Sequence, residues 1–176
     1  MTITAPAGTP GVTTFTPAQL LRTARLLARN PELPALIAQA PIDPESGRPW
    51  LRLDHTQQLE VWLLGWPPGT STGWYDHGVS GGAFVVVQGS LTEHSTRKPD
   101  DAGRPGGSPV AVRTEHLAPQ MGRAFSLRHV HDVVNNGVAY AVSVHAYAPA
   151  LGAMTRYRLR DGRLHIVETA REGVDW

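Results

Sequence analysis

Gly69-Thr70-Ser71-Thr72-Gly73-Trp74-Tyr75-Asp76-His77 and the apolar run after it, Ala83-Phe84-Val85-Val86-Val87-Gln88-Gly89, decide how the rest of the chain is read. Side chains alternate across a strand, so Tyr75 and His77 share one face and aim two ligand atoms into one space. Far along the chain, His129-Val130-His131 repeats that spacing ahead of a second apolar run. Ligands on strands distant in sequence are what a metal site inside a small β-barrel needs. The unusual member of the set is a tyrosine.

The chain of 176 residues is long enough for one domain with a substantial core. Its formal net charge is +1 and no run of Lys or Arg forms a stripe, which argues against nucleic acid or an anionic membrane as a partner. With no cysteine, it has no disulfide, no thiolate ligand and no cysteine nucleophile. The start, Met1-Thr2-Ile3-Thr4-Ala5-Pro6-Ala7-Gly8, has neither the basic nor the apolar part of an export signal, and no stretch is long enough to span a bilayer. A cytoplasmic protein is the expectation.

Residues 1–15 read as a flexible tail and 16–176 as one domain, with a helical cover over 16–40 and a barrel over 50–168. Thr16-Pro17 is a helix start, and Leu20, Leu21, Ala24, Leu27 and Ala28 recur at helical spacing up to Asn30. A shorter helix is expected around Pro31 to Ala40. From Trp50 the period changes to two, with strands expected over 50–53, 59–66, 73–77, 83–88, 90–95, 110–116, 122–127, 129–135, 140–147, 154–160 and 163–168. Residues 95–109 are polar, rich in Pro and Gly and without period, as a mobile surface loop or lid would be. Many short strands after two helices predict an all-β fold, a small barrel or double-sheet jelly roll with N-terminal helices packed on it.

One strand carries a second constellation. Ser143, His145 and Tyr147 alternate, so a hydroxyl, an imidazole and a phenol project to one face and can pass hydrogen bonds towards a buried centre. The bland alternative is a solvated strand face. Arg52, opposite Leu51 and Leu53, can hold a carboxylate by two parallel bonds, against the alternative of a surface arginine. His55, His94, His116 and His165 lie in polar strand ends or loops and read as surface residues.

These motifs resemble those of the cupins. Gly69, five residues, then Tyr75-Asp76-His77 and a closing Gly89 follow the first cupin motif, and His131-Asp132-Val133-Val134-Asn135 follows the end of the second. Gly82 stands where most cupins have a glutamate. Loss of that glutamate is the pattern of the cysteine dioxygenase branch, which the chain resembles over Trp50 to Pro149. The resemblance implies a mononuclear metal held by Tyr75, His77 and His131, a substrate arginine at Arg52, and a Ser143-His145-Tyr147 relay. It also implies O2-dependent oxidation of a small amino thiol such as cysteine to its sulfinic acid, with that thiol and O2 as partners. The metal it implies is Fe(II) or Fe(III), with Cu, Ni or Zn as other options, and the protein would be a monomer or weak homo-oligomer.

Two departures follow from the same alignment of motifs. Gly82 occupies the place of the cysteine that some relatives cross-link to the relay tyrosine, so no Cys-Tyr cross-link forms here. Tyr75 replaces the first ligand histidine. A phenol titrates at about 10 and binds a metal well as phenolate, which favours ferric iron or copper over ferrous iron. Tyr75 ligates, or His129 supplies the missing nitrogen, or Tyr75 swings away and water completes a two-histidine site. The functional alternatives are a metal-dependent cupin of altered reactivity in specialised metabolism, with 95–109 as its lid, and an inactive binding cupin.

Overall fold

The computed structural model describes residues 15–171, so the expected N-terminal tail, apart from Phe15, lies outside the described residues. Helix α1 (Pro17–Leu27) opens with a capping box, in which Gln19 N donates to Thr16 Oγ at 3.3 Å and Thr16 N donates to Gln19 Oε1 at 2.8 Å. It ends at Leu27, short of Asn30, because Arg29 N and Asn30 N turn back to the carbonyls three residues earlier and tighten the last turn. Leu20 and Ala24 are fully buried, but Leu27 remains 37% exposed. Helix α2 (Leu33–Ile37) is shorter than the sequence suggests and buries Leu33 and Ile37.

The strands are β1 (Trp50–His55), β2 (Glu60–Trp66), β3 (Trp74–Tyr75), β4 (Gly81–Gln88), β5 (Leu91–Arg97), β6 (Arg113–Leu117), β7 (Gly122–Phe125), β8 (His129–Val134), β9 (Ala141–Ala148), β10 (Ala153–Arg160) and β11 (Arg163–Arg171). They form two antiparallel sheets, ordered β1-β2-β9-β4-β7 and β11-β10-β3-β8-β5-β6. The all-β expectation holds, as an open double sheet rather than a barrel closed by hydrogen bonds.

The period of two sorts side chains between layers. Along β9, Val142, Val144, Ala146 and Ala148 face the helices, where they join Leu20, Ala24, Val61, Leu63, Ala83 and Val85. The alternate residues Ser143, His145 and Tyr147 face the space between the sheets, with Trp66, Phe84, Val86, Phe125 and Val133 around it. Every residue of β9 is buried, as a central strand covered on both faces requires. The polar trio is therefore interior and not a solvated face.

Residues 98–109 form an irregular surface loop, as expected of the 95–109 segment, but one with anchors. Strand β5 runs on to Arg97, and the segment after it is tied down by Lys98 Nζ to Asp76 Oδ2 (2.5 Å), Gly103 N to Leu164 O (3.1 Å) and Arg163 Nε to Gly107 O (2.7 Å). Ala102 and Val110 pack on Val130, Tyr157 and Leu164 behind the second sheet. Asp76 anchors this region from below: fully buried, it also accepts from Tyr157 Oη at 2.7 Å and Gly78 N at 3.0 Å. A polar, Pro-rich composition hides such docking because backbone groups make most of it.

Candidate metal centre

Short strand β3 places Tyr75 opposite His131 of β8, and the chain then turns so that His77 enters the same space. The ring centroids of Tyr75, His77 and His131 form a nearly equilateral triangle with sides of 4.8, 4.9 and 4.9 Å. All three side chains are buried, and Phe125 stacks on His77 at 4.6 Å. Burial holds His77 well below the usual histidine range, helped by His131, His129 and His145. His131 is also pushed down by burial, against the pull of Glu93. Both imidazoles are therefore neutral with lone pairs available.

The decisive feature is what these nitrogens lack. His77 Nδ1, His77 Nε2 and His131 Nε2 are buried with no hydrogen-bond partner. A buried unpaired polar atom is costly, so native structures leave few of them without a ligand or ion. His131 Nδ1, by contrast, meets Glu93 Oε1 at 2.7 Å. A carboxylate on Nδ1 fixes the ring and leaves Nε2 free to ligate, as behind metal-bound histidines generally.

Glu93 is the main site residue that the sequence reading misses. Its Oε1 also meets His129 Nε2 at 3.0 Å, and its Oε2 accepts from Arg123 Nε at 3.1 Å. Burial alone would raise its carboxyl, but the bonds to His129 and His131 override this and hold it far below the usual carboxylate range. Glu93, His129 and His131 offer donor atoms within 4.8 Å of one another, a group able to hold a metal. We favour a different use for Glu93: both its oxygens are already engaged, Arg123 stands against it, and a metal there would leave His77 orphaned. The sequence signal for Glu93 is only its β5 register, which sets it on the face of Ser95, opposite His131.

The first sheet supplies a continuous chain of hydrogen bonds. Trp66 Nε1 donates to Ser143 Oγ at 2.8 Å, Ser143 Oγ lies 2.8 Å from His145 Nε2, and His145 Nδ1 lies 3.1 Å from Tyr147 Oη. An indole can only donate, so Ser143 accepts from Trp66, and the arrangement that uses the Ser143 proton within the chain has Ser143 donating to Nε2 and Nδ1–H donating to Tyr147. Burial keeps His145 neutral, as this requires. Tyr147 and Tyr75 act on each other's titration, Tyr147 lowering the Tyr75 phenol and Tyr75 raising that of Tyr147. The chain starts at a buried indole, not at solvent, and Trp66 is a member that the sequence did not reveal. Burial pushes the Tyr75 phenol up to about 12, against the lowering influence of Tyr147, Arg48 and Arg156.

Gly82 faces Tyr147 across β4 and β9. A Cβ there would lie 2.5 Å from the Phe125 ring and 2.8 Å from the Tyr147 ring, so no side chain fits while both rings stay in place. Arg52, with its side chain 45% exposed, lies 3.5 Å from Glu60 and has its guanidinium 5.4 Å from the centre of the Trp62 ring. His129 stacks on Phe125 at 4.9 Å while it holds Glu93. His94 and His116 meet Thr114 and Thr92, at 2.9 and 3.0 Å.

The family model described as "Cysteine dioxygenase type I" matches residues 32–160. The chain belongs to the cysteine dioxygenase type I family. No curated protein matches the chain in sequence. Among solved structures, recombinant oxalate oxidase in complex with glycolate superposes with a TM-score of 0.54 at 15% identity, covering 68% of this chain and 60% of that one. Peruvianin-I, described as a cysteine peptidase from Thevetia peruviana latex, gives 0.52 at 17% identity over 65% and 71%. The chain spans about 60% of the oxalate oxidase's length, and identities this low establish the shared fold alone. Family and fold together describe a cupin with residues able to hold a metal. Among the described residues, no helix is long and apolar enough to cross a membrane.

Proposed function

We propose that this protein is a mononuclear metal enzyme of the thiol dioxygenase type, with Tyr75, His77 and His131 as the metal ligands. The observation that carries this is the triangle of three buried rings whose histidine nitrogens have no partner within the protein. A bound metal, with iron the first choice and Cu, Ni or Zn the alternatives, would bring a small amino thiol such as cysteine together with O2, so that both oxygen atoms end on sulfur as a sulfinic acid.

The chain's own groups prepare that chemistry. Glu93 holds His131 in one tautomer and orientation. The Trp66-Ser143-His145 chain fixes Tyr147 and leaves its proton directed at the ligand space. Phe125 and Phe84, stacked on His77 and His145, exclude water. Family resemblance makes Arg52, at the rim beside Glu60, the first candidate to hold the substrate carboxylate.

Tyr75 favours a second reading. Without a metal its buried phenol stays protonated at neutral pH, so ligation requires metal-driven ionisation and yields an anionic oxygen ligand. Such a ligand suits ferric iron or copper, and so a metal-dependent cupin of altered reactivity. Elemental analysis, the visible spectrum and O2 uptake separate the two. Iron-loaded protein consuming O2 with cysteine, 3-mercaptopropionate or cysteamine supports the first reading. A phenolate charge-transfer band without thiol-dependent uptake supports the second, and protein that takes up no metal rejects both.

A further inference from the structure

Strand β5 turns Glu93, Ser95 and Arg97 to one face, and the register sets Arg113 of β6 opposite Ser95 and His129 of β8 opposite Arg97. Where this face reaches the surface it walls a cleft of about 440 Å³ that carries Arg97, Arg113, Arg123, Arg128 and His129. Among the described residues no carboxylate lines it. None of Tyr75, His77 and His131 lines it either, so the cleft is separate from the ligand triangle. Phe125 is common to both walls, stacked on His77 at 4.6 Å and on His129 at 4.9 Å.

Charge in the cleft is unbalanced. Arg123 is held by Glu93 at 3.1 Å and by Glu115 at 2.8 Å, and Arg128 by Asp100 at 2.5 Å. Arg97 and Arg113 have no side-chain partner among the described residues, and as diagonal neighbours on one face their backbones stand about 7–8 Å apart. Ser95 distinguishes this cleft from a merely solvated basic surface. It is only 5% exposed, it lines the cleft, and its hydroxyl has no partner among the described residues. Leaving such a hydroxyl unpaired is costly, and an acceptor bound beside it removes the cost. Two guanidinium groups without counter-charge and a free hydroxyl donor suit a doubly charged oxyanion, whose tetrahedral oxygens accept from several directions.

We propose that this cleft binds a phosphoryl dianion, the phosphate monoester group of a small molecule, with Arg97 and Arg113 supplying the charge and Ser95 a hydrogen bond. The site goes beyond the metal chemistry proposed above and does not depend on it. It adjoins the metal centre, because Arg123 and His129 also hold Glu93, the support of His131.

The test is calorimetric titration of the full-length, metal-loaded protein at about pH 8 and low salt, using methyl phosphate, a dianion there, and dimethyl phosphate, a monoanion of similar shape. Wild type should bind methyl phosphate at least about 10-fold more tightly than dimethyl phosphate, and the double variant R97Q with R113Q should lose that preference. S95A should weaken methyl phosphate binding by about 5- to 10-fold. H77Q removes a proposed metal ligand and should bind methyl phosphate as wild type does. The double variant R158Q with R160Q takes the same charge from β10, outside the cleft, and should change the affinity less than about 2-fold. Wild type that does not bind methyl phosphate, a preference that survives R97Q with R113Q, or binding untouched by S95A overturns the assignment. An equal loss in R158Q with R160Q overturns it by reducing the effect to general attraction, and loss in H77Q overturns it by placing the anion on the metal.

Discussion

His145 and His77 are both buried between the sheets, and burial keeps both neutral, yet they differ in every other respect. His145 uses both ring nitrogens, one towards Ser143 and one towards Tyr147. His77 uses neither, and His131 uses only the nitrogen that faces Glu93. A buried imidazole with both nitrogens paired is complete as a structural part. One with an unpaired nitrogen stays destabilised until something with an empty orbital arrives. Two histidines equally buried thus differ in what they offer: one is satisfied within the protein and the other keeps its lone pairs unused.

The largest expected effect breaks this contrast directly. H131Q should lose stoichiometric metal, with affinity falling more than about 100-fold, whereas H145Q should retain it, because only the first removes a proposed ligand. Metal content by elemental analysis after dialysis checks both, and equal loss in the two variants would erase the distinction.

The next effect separates ligand from support. E93Q should weaken metal binding by roughly 10- to 100-fold without abolishing it, since Glu93 orients His131 rather than donating to the metal. Competition against a chromogenic chelator measures the difference. A loss as complete as that of H131Q would instead make Glu93 a ligand, together with His129.

Much of this contrast is legible in the sequence, and the unread part has a common cause. Strand positions, the Thr16 cap and the shared faces of Tyr75 with His77 and of Ser143 with His145 and Tyr147 all follow from local period and capping chemistry. Glu93, Trp66 and Asp76 were missed because each acts through partners more than twenty residues away, at 38, 77 and 81 positions in the bonds to His131, Ser143 and Tyr157. Register between β5, β8 and β3 decides those contacts, and no short window contains it. The sequence shows residues 95–109 as a surface loop but not their anchoring, since their backbone is held by β11 and the turn before it. Arg48 and Arg52 show the limit again, since only the packed structure sets the first over the Trp66 ring and the second against Glu60 and the Trp62 ring.

A smaller effect concerns the wall shared by the two histidine environments. G82A should cost about 1–3 kcal/mol in urea unfolding, because its Cβ forces Phe125 and Tyr147 apart. Phe125 stacks on His77, and Tyr147 takes the His145 hydrogen bond, so the substitution perturbs both sides at once. Stability unchanged from wild type would mean that the rings move aside freely and that the site is less rigid than its packing implies.

The smallest effect sharpens the comparison without disturbing the ligands. Burial lowers the folded-state pKa of His145 well below 6.5, so below that value the unfolded chain takes up a proton that the folded chain refuses. Stability should therefore fall as pH drops from about 6.5, by up to about 1.4 kcal/mol per pH unit for this group, until the folded pKa is reached. His77 and His131 add the same trend in metal-free protein, so absolute stability does not isolate His145. The difference between wild type and H145Q does, because both retain His77 and His131. That difference should be flat above about pH 7 and should shift in favour of H145Q as the solution is acidified. A difference independent of pH between 7.5 and 5 would mean that His145 is protonated equally in both states. In the folded protein the chain from Trp66 to Tyr147 would then break below about pH 6.5, since imidazolium has no lone pair for Ser143 to meet.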